Sequence, residues 1–294
     1  MTRPQANILL LLAGAIWGMG FVAQSTAMEA IGPFLFIGLR FAIAGIFMLP
    51  FALREGMRAE SPLPPSDWRA FALIGVILFL GMAAQQLGLL TTTVTNSGFL
   101  TGLYVVMVPF LGVLVFRQWP NAIVWPAALT ALSGIWLLSG GSATTLKAGD
   151  WLTILCALCW AFQVFFIARA AAQTGRPITL AVTQFAVTAV ISLLIALAVE
   201  PIEFPAIRAA LPEILYAGIF SGGIAFTLQV VGQRYTTAPQ AAIFLSTEAV
   251  FAALFGAIFL GERLPPAGLA GCALIFSAIL MVELVPALRA RRAA

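Results

Sequence analysis

Of the 294 residues, 62% are hydrophobic and only 9% charged, against about 45–50% apolar and 25% charged in soluble globular chains, so water is excluded as the main solvent of this surface. The net charge of +4 comes from basic residues scattered between apolar runs, with no long basic stripe, which argues against a nucleic-acid partner. With no histidine and only three cysteines, Cys156, Cys159 and Cys272, the chain has too few ligands for a zinc site, and no metal or cofactor is expected.

A membrane-spanning helix takes about 20 apolar residues, and the apolar runs divide the chain into ten such stretches. The first, over 7–26, follows Arg3 and resembles a signal peptide, but many similar runs follow and no cleavage site is apparent, so it reads as a retained helix. Gly32-Pro33 opens a helix over 33–53 that carries Arg40. The proline cluster at 62–65 precedes a helix over 68–90 with Gln85 and Gln86, and the short polar run Thr91-Thr92-Thr93 separates it from helices over 95–116 and 121–139. Gly140-Gly141 marks a break. A helix over 150–171 follows, in which Cys156 and Cys159 form a C-x-x-C; as a lone pair in an apolar helix they read as packing residues rather than a redox or metal pair. Gly175-Arg176-Pro177 leads to a helix over 178–199, Pro201 and Pro205 to one over 212–232, and two more helices span 239–260, with Glu248, and 266–285 after Pro265-Pro266.

The basic residues give this series an orientation. With the N-terminus in the cytoplasm, eleven of the fifteen Lys and Arg residues fall inside and three (Lys147, Arg208 and Arg263) outside, leaving Arg40 within a helix. That bias is the positive-inside pattern of a bacterial inner-membrane protein with both termini cytoplasmic. Removing one helix from the count would swap the sides of every later loop. Trp68, Trp119, Trp125 and Trp151 fall near helix ends, where interfacial aromatic residues belong.

The chain also resembles itself. At a shift of 144, Pro33 falls on Pro177, Phe41 on Phe185, Gln85 on Gln229, Gly88 on Gly232 and Gly112 on Gly256; at a shift of 143, Trp17 falls on Trp160. The expected architecture is an all-α membrane protein of ten transmembrane helices in two five-helix repeats, 1–140 and 141–294. An odd helix count per repeat inverts the second copy, an arrangement common in secondary transporters.

The stretch 248–264, EAVFAALFGAIFLGERL, followed by Pro265-Pro266 and a Gly/Ala-rich final helix, resembles the EamA branch of the drug/metabolite transporter superfamily. Ala15-Ile16-Trp17-Gly18 and Leu39-Arg40-Phe41 resemble the opening of the same family. The resemblance implies ten helices, inverted repeats, cytoplasmic termini and export of amino acids or other small metabolites, with YddG-type amino-acid exporters the most similar subgroup. The chain departs from the pattern at Arg117-Gln118-Trp119, where many relatives carry a Gly-Glu like Gly261-Glu262.

Charge within a bilayer costs about 2.5–3.5 kcal/mol per residue on insertion scales, and two ionisable residues fall well inside helices. Arg40 suits a substrate carboxylate; Glu248 suits an amino group or a proton, and is the candidate for proton coupling. In the competing reading they pair with each other, or with backbone carbonyls, and simply lock two helices. In the repeat, Arg40 lies opposite Gln184, and Glu248 opposite Tyr104. Around them falls a polar set: Gln24, Gln85, Gln86, Asn96, Ser97, Thr101 and Tyr104 in the first half, and Gln163, Gln184, Ser221, Gln229, Ser246 and Thr247 in the second. Such groups either bond between helices or face a wet cavity. Trp17 and Trp160 are candidate apolar walls. Gly14 with Gly18, Gly98 with Gly102, and Gly218 with Gly222 place small residues for close helix approach, within the molecule or between two copies of it.

A carrier for a small molecule is the reading these features favour. No G-x-x-x-x-G-K-[ST] motif supports ATP drive, and no G-x-S-x-G or H-E-x-x-H motif supports an enzyme. A channel or scramblase has no filter motif or charged ring in its favour. Substrate identity, proton coupling and the choice between monomer and homodimer stay open.

Overall fold

The computed structural model describes residues 1–92, 94–138, 147–259 and 266–293. All regular structure in them is helical: α1 (Arg3–Ala27), α2 (Pro33–Met57), α3 (Pro65–Leu89), α4 (Val94–Gly102), α5 (Tyr104–Leu114), α6 (Val124–Leu138), α7 (Ala148–Thr174), α8 (Pro177–Val199), α9 (Phe204–Ala209), α10 (Leu211–Leu215), a π-helical segment (Tyr216–Ala225), α11 (Phe226–Gln233), α12 (Ala238–Leu245), α13 (Thr247–Phe259) and α14 (Pro266–Ala293). The expected breaks at Gly140-Gly141 and Pro265, and the Gly261-Glu262 pair, lie outside the described residues.

Proline sets many of the starts. α2, α3 and α8 each open on a proline, whose missing N–H costs nothing in the first turn. α7 ends on Gly175 with φ +66°, the left-handed cap that glycine adopts without strain. Among the described residues, eight helical stretches are long and apolar enough to cross a membrane, and two shorter apolar ones, Leu100–Leu114 and Val124–Leu137, lie among them. The chain is a multi-pass membrane protein.

Three helices expected to be continuous are not. The stretch 95–116 breaks at Leu103, just past Gly102, where the Leu103 amide bonds only as far back as Leu100. The stretch 239–260 breaks at Ser246. There the Ser246 hydroxyl donates to the Ile243 carbonyl and the Thr247 hydroxyl to that of Phe244, at 2.7 Å each, so side chains claim carbonyls that the helix would use. The stretch 212–232 passes through ten residues of π-helix, rare in proteins and frequent at functional sites.

Much of the outer surface is apolar, unlike that of a soluble protein. Ile46, Leu49 and Leu53 on α2, Val190, Leu194 and Leu197 on α8, and Phe276, Leu280 and Leu284 on α14 are exposed at helical spacing, as faces toward lipid require. Buried positions include Arg40, Gln85, Gln86, Gln163, Gln184 and Gln229. α2 lies along α8, α3 along α7, α1 along α13 and α6 along α14. Glycine permits close approach between α1 and α13. A Cβ on Gly14 would stand 2.5 Å from Thr247 Oγ1, and one on Gly18 2.6 Å from the Ala252 nitrogen, so this small-residue pair seats α1 on α13 within the molecule.

α2 and α8 are also joined through their ends. Glu200, just past α8, accepts the amides of Phe34 and Leu35 in the first turn of α2, both at 2.8 Å. Glu55, near the end of α2, accepts those of Ile178 and Thr179 in the first turn of α8, at 3.1 and 2.7 Å. The two helices therefore run antiparallel.

Candidate functional site

Fifteen residues from both halves of the chain line a cavity of about 40 Å³ in the middle of the helices. Arg40, 1% exposed, reaches it from α2. Its Nη2 donates to Ser221 Oγ at 2.9 Å, and its guanidinium carbon lies 5.6 Å from the Phe36 ring centre and 5.1 Å from that of Phe41. These ring faces attract the cation without using its N–H groups. Nε and Nη1 have no hydrogen-bond partner among the described residues. Among the described residues, Arg40 meets a hydroxyl and two rings, and the expected alternative of a lock with Glu248 is not formed.

The two helix breaks supply the next pair. Tyr104 is the first residue of α5 after the break at Leu103, and Glu248 lies in the first turn of α13 after the break at Ser246. Both line the cavity. The Tyr104 hydroxyl is buried without a partner among the described residues, and so are Gln24 Oε1 and Gln229 Oε1. Buried polar atoms nearly always find partners, so these atoms leave donors and acceptors on the cavity wall for water or a polar guest.

Of the nine residues singled out from the sequence, the cavity gathers Trp17, Arg40, Gln85, Tyr104, Trp160, Gln229 and Glu248. Gln163 and Gln184 stand behind it: Gln229 Nε2 donates to Gln163 Oε1 at 3.2 Å, and Gln163 Nε2 to Gln184 Oε1 at 3.3 Å, linking α11, α7 and α8. Gln85 donates to Thr101 Oγ1 at 3.2 Å. Trp17 donates its indole N–H to the Ser221 carbonyl at 3.0 Å, so the π-helical segment receives both Trp17 and Arg40 at one residue. The side chain of Asn96 lies outside the described residues.

The sequence reading missed Phe21, Met82, Val164, Phe226 and Leu245, all apolar. The repeat points to one of them, Leu245, as the counterpart of Thr101; the other four are counterparts only of one another. Trp17 with Trp160 and Phe21 with Val164 are related by the shift of 143, and Met82 with Phe226, Gln85 with Gln229, Thr101 with Leu245 and Tyr104 with Glu248 by that of 144. Among the described residues, twelve of the fifteen that line the cavity are thus counterparts of one another, and Gln24, Arg40 and Ser221 line it without theirs.

The model of the EamA-like transporter family matches the chain twice, over residues 5–140 and 147–284. The chain belongs to the EamA-like transporter family. A relative in Archaeoglobus fulgidus, described as an uncharacterized transporter, is 33% identical over 96% of this chain and 87% of its own length. The uncharacterized transporter YwfM of Bacillus subtilis is 27% identical, over 95% of this chain and 94% of its own. A Chlamydia trachomatis protein described as an S-adenosylmethionine/S-adenosylhomocysteine transporter is 25% identical, over 92% and 89%. A solved crystal structure superposes with a TM-score of 0.80 at 19% identity, over 97% of this chain and 98% of that one, a likeness of fold. The cavity is accordingly that of an EamA-like transporter, a family whose members move small molecules through a bilayer.

A second cavity, about 420 Å³, lies among the ends of α5, α7 and α12, with Arg3, Gln118, Asn121, Arg169 and Gln240 on its walls.

Proposed function

We propose that this EamA-like transporter is a secondary carrier that exports amino acids or related small metabolites across the inner membrane by alternating access through the central cavity. The observation that carries the reading is Arg40: a buried guanidinium, beside a cavity, with Nε and Nη1 unmatched. Intramembrane charge is retained where it binds something, and a guanidinium with Nε and Nη1 unmatched has charged N–H donors to offer a carboxylate. Glu248, across a different helix and outside any ion pair with Arg40, suits the ammonium end of the same cargo or a coupling proton. Trp17 and Trp160 wall the apolar part.

Alternating access needs two equivalent halves. The reading takes them as five-helix repeats, 1–140 and 141–294, giving ten crossings with both termini in the cytoplasm. It is supported by the twofold family match, by the counterpart pairs around the cavity, and by helix breaks at Leu103 and Ser246, at matching places in the two halves. Discontinuous helices around a central site are a feature of such carriers. The eleven-to-three distribution of basic residues supports the orientation.

A second reading enlarges the cargo. S-adenosylmethionine, the named cargo of the chlamydial relatives, joins an amino-acid end to a planar base. The same carboxylate site and aromatic walls would serve it.

Counterflow in proteoliposomes tests the proposal. Vesicles holding the purified protein are preloaded with one common amino acid and challenged with a labelled trace of the same compound. Saturable accumulation above protein-free vesicles is the expected result. No counterflow with any amino acid would sink the amino-acid assignment, and S-adenosylmethionine would be the next compound in the same assay.

A further inference from the structure

Phe226 stands where the π-helical segment passes into α11. Its ring is 2% exposed and nevertheless lines the central cavity. The ring centre lies 4.7 Å from that of Trp17, 5.7 Å from those of Phe41 and Trp160, and 6.1 Å from that of Phe185. Those four rings come from α1, α2, α7 and α8, so Phe226 is the hub on which both halves of the chain close.

The space left beside it is small. About 40 Å³ is room for a little water, whereas a cavity that takes up benzene measures about 150 Å³. Unmatched polar atoms are ready for the polar end of a cargo, but an aromatic ring fills the place its body would occupy. The counterpart of Phe226 in the first half is Met82, an adaptable side chain on the same cavity. The rigid ring, not its flexible counterpart, decides how much room can be made.

We propose that Phe226 is the size-determining residue of this carrier: its ring withdraws to admit the apolar body of the cargo, and the volume at position 226 sets the largest body accepted. This rests on reading the central cavity as the cargo site. The polar and apolar parts are coupled through Ser221, which lies in the π-helical segment that leads to Phe226 and is held there by Arg40 and Trp17. An anion that engages Arg40 competes for the guanidinium that now donates to Ser221. Such binding loosens the segment at the point where the ring has to move.

The test uses the full-length protein in detergent, native and as Phe226→Leu, Phe226→Ala and Phe226→Trp, titrated calorimetrically with benzoate and with toluene. Benzoate carries a ring and a carboxylate but no amino group, so its binding reports this site whether or not amino acids are the cargo. Phe226→Leu and Phe226→Ala are expected to bind benzoate at least ten-fold more tightly than the native protein, Phe226→Trp more weakly, and each of the smaller variants is expected to prefer benzoate to toluene. Benzoate affinity that does not follow the side chain at 226, absence of binding to every variant included, would overturn the proposal. So would a preference for toluene, the mark of a sealed void away from Arg40. Should Phe226→Ala not elute as a single species, Phe226→Leu carries the comparison. Failed amino-acid counterflow would leave this binding series unaffected, and the reverse also holds.

Discussion

Glu55 and Glu200 are reciprocal: each sits near the end of one helix of the α2–α8 pair and accepts two amides from the first turn of the other. A carboxylate there satisfies N–H groups that no helix can satisfy for itself and complements the positive end of the helix dipole. Removing one such cap costs about 0.5–2 kcal/mol. Glu55→Ala and Glu200→Ala should therefore each lower the unfolding temperature in detergent. The caps lie a helix length apart, about 35 Å at 1.5 Å per residue, so the double variant should lose close to the sum of the two. A double variant as stable as either single one would mean that the caps do not act independently.

Arg40→Gln removes the fork and its charge while keeping a polar side chain. Hydrogen bonds to charged groups contribute about 1.5–3 kcal/mol, so the affinity for a carboxylate cargo should fall by about 10- to 100-fold. Arg40→Lys should recover part of this, since an ammonium is a point charge without the planar fork. Binding titrations with the compound that gives counterflow measure both. Equal affinities in all three proteins would remove Arg40 from the binding site.

Glu248→Gln keeps the shape of the side chain and abolishes its titration. If Glu248 takes up and releases the coupling proton, counterflow measured from pH 5 to 8 should lose its pH dependence in the variant, with the unfolding temperature little changed. Parallel pH profiles in the two proteins would assign Glu248 to cargo binding or to structure.

Two glycines make a contrasting pair. A Cβ at Gly18 meets the backbone of Phe251 and Ala252 at 2.6–2.7 Å, while one at Gly98 meets nothing within 4 Å among the described residues. Gly18→Ala should destabilise by about 1–3 kcal/mol through overpacking. Gly98→Ala should be neutral or stabilise by up to about 1 kcal/mol, because helical glycine is entropically unfavourable. Thermal unfolding of the two variants checks both, and a harmless Gly18→Ala would mean that α1 and α13 have freedom to separate.

Much of this was legible in the sequence, because lipid makes hydrophobicity almost a direct record of helix position. Prolines at 33, 65 and 177 stand where helices start, and Arg40 and Glu248 were conspicuous because charge is rare at that depth. The breaks at Leu103 and Ser246 were hidden, since hydropathy registers neither a backbone amide that bonds three residues back nor a serine or threonine hydroxyl turned back on its own helix. Phe226 was hidden for the opposite reason: one phenylalanine among 23 carries no mark of its place. Gln163 and Gln184 looked like cavity residues because an intramembrane amide suits a wet wall and a bond between helices equally well, and here they bond to each other. Glu55 and Glu200 lie outside the apolar runs, so nothing local tied either to a helix start more than a hundred residues away.

The aromatic cluster around Phe226 bears on the kinetics of the empty protein. Each ring contact contributes about 0.5–1.5 kcal/mol beyond burial, so parting Phe226 from four neighbours raises a barrier of about 2–6 kcal/mol. A bound cargo replaces those contacts with its own, whereas a vacant site has nothing to offer in exchange. With alternating access as proposed, the unloaded protein should therefore reorient slowly and the loaded one quickly. One-for-one swapping of molecules across the bilayer would then outpace net efflux, and leakage through a vacant carrier would be suppressed by the same rings that wait for its load.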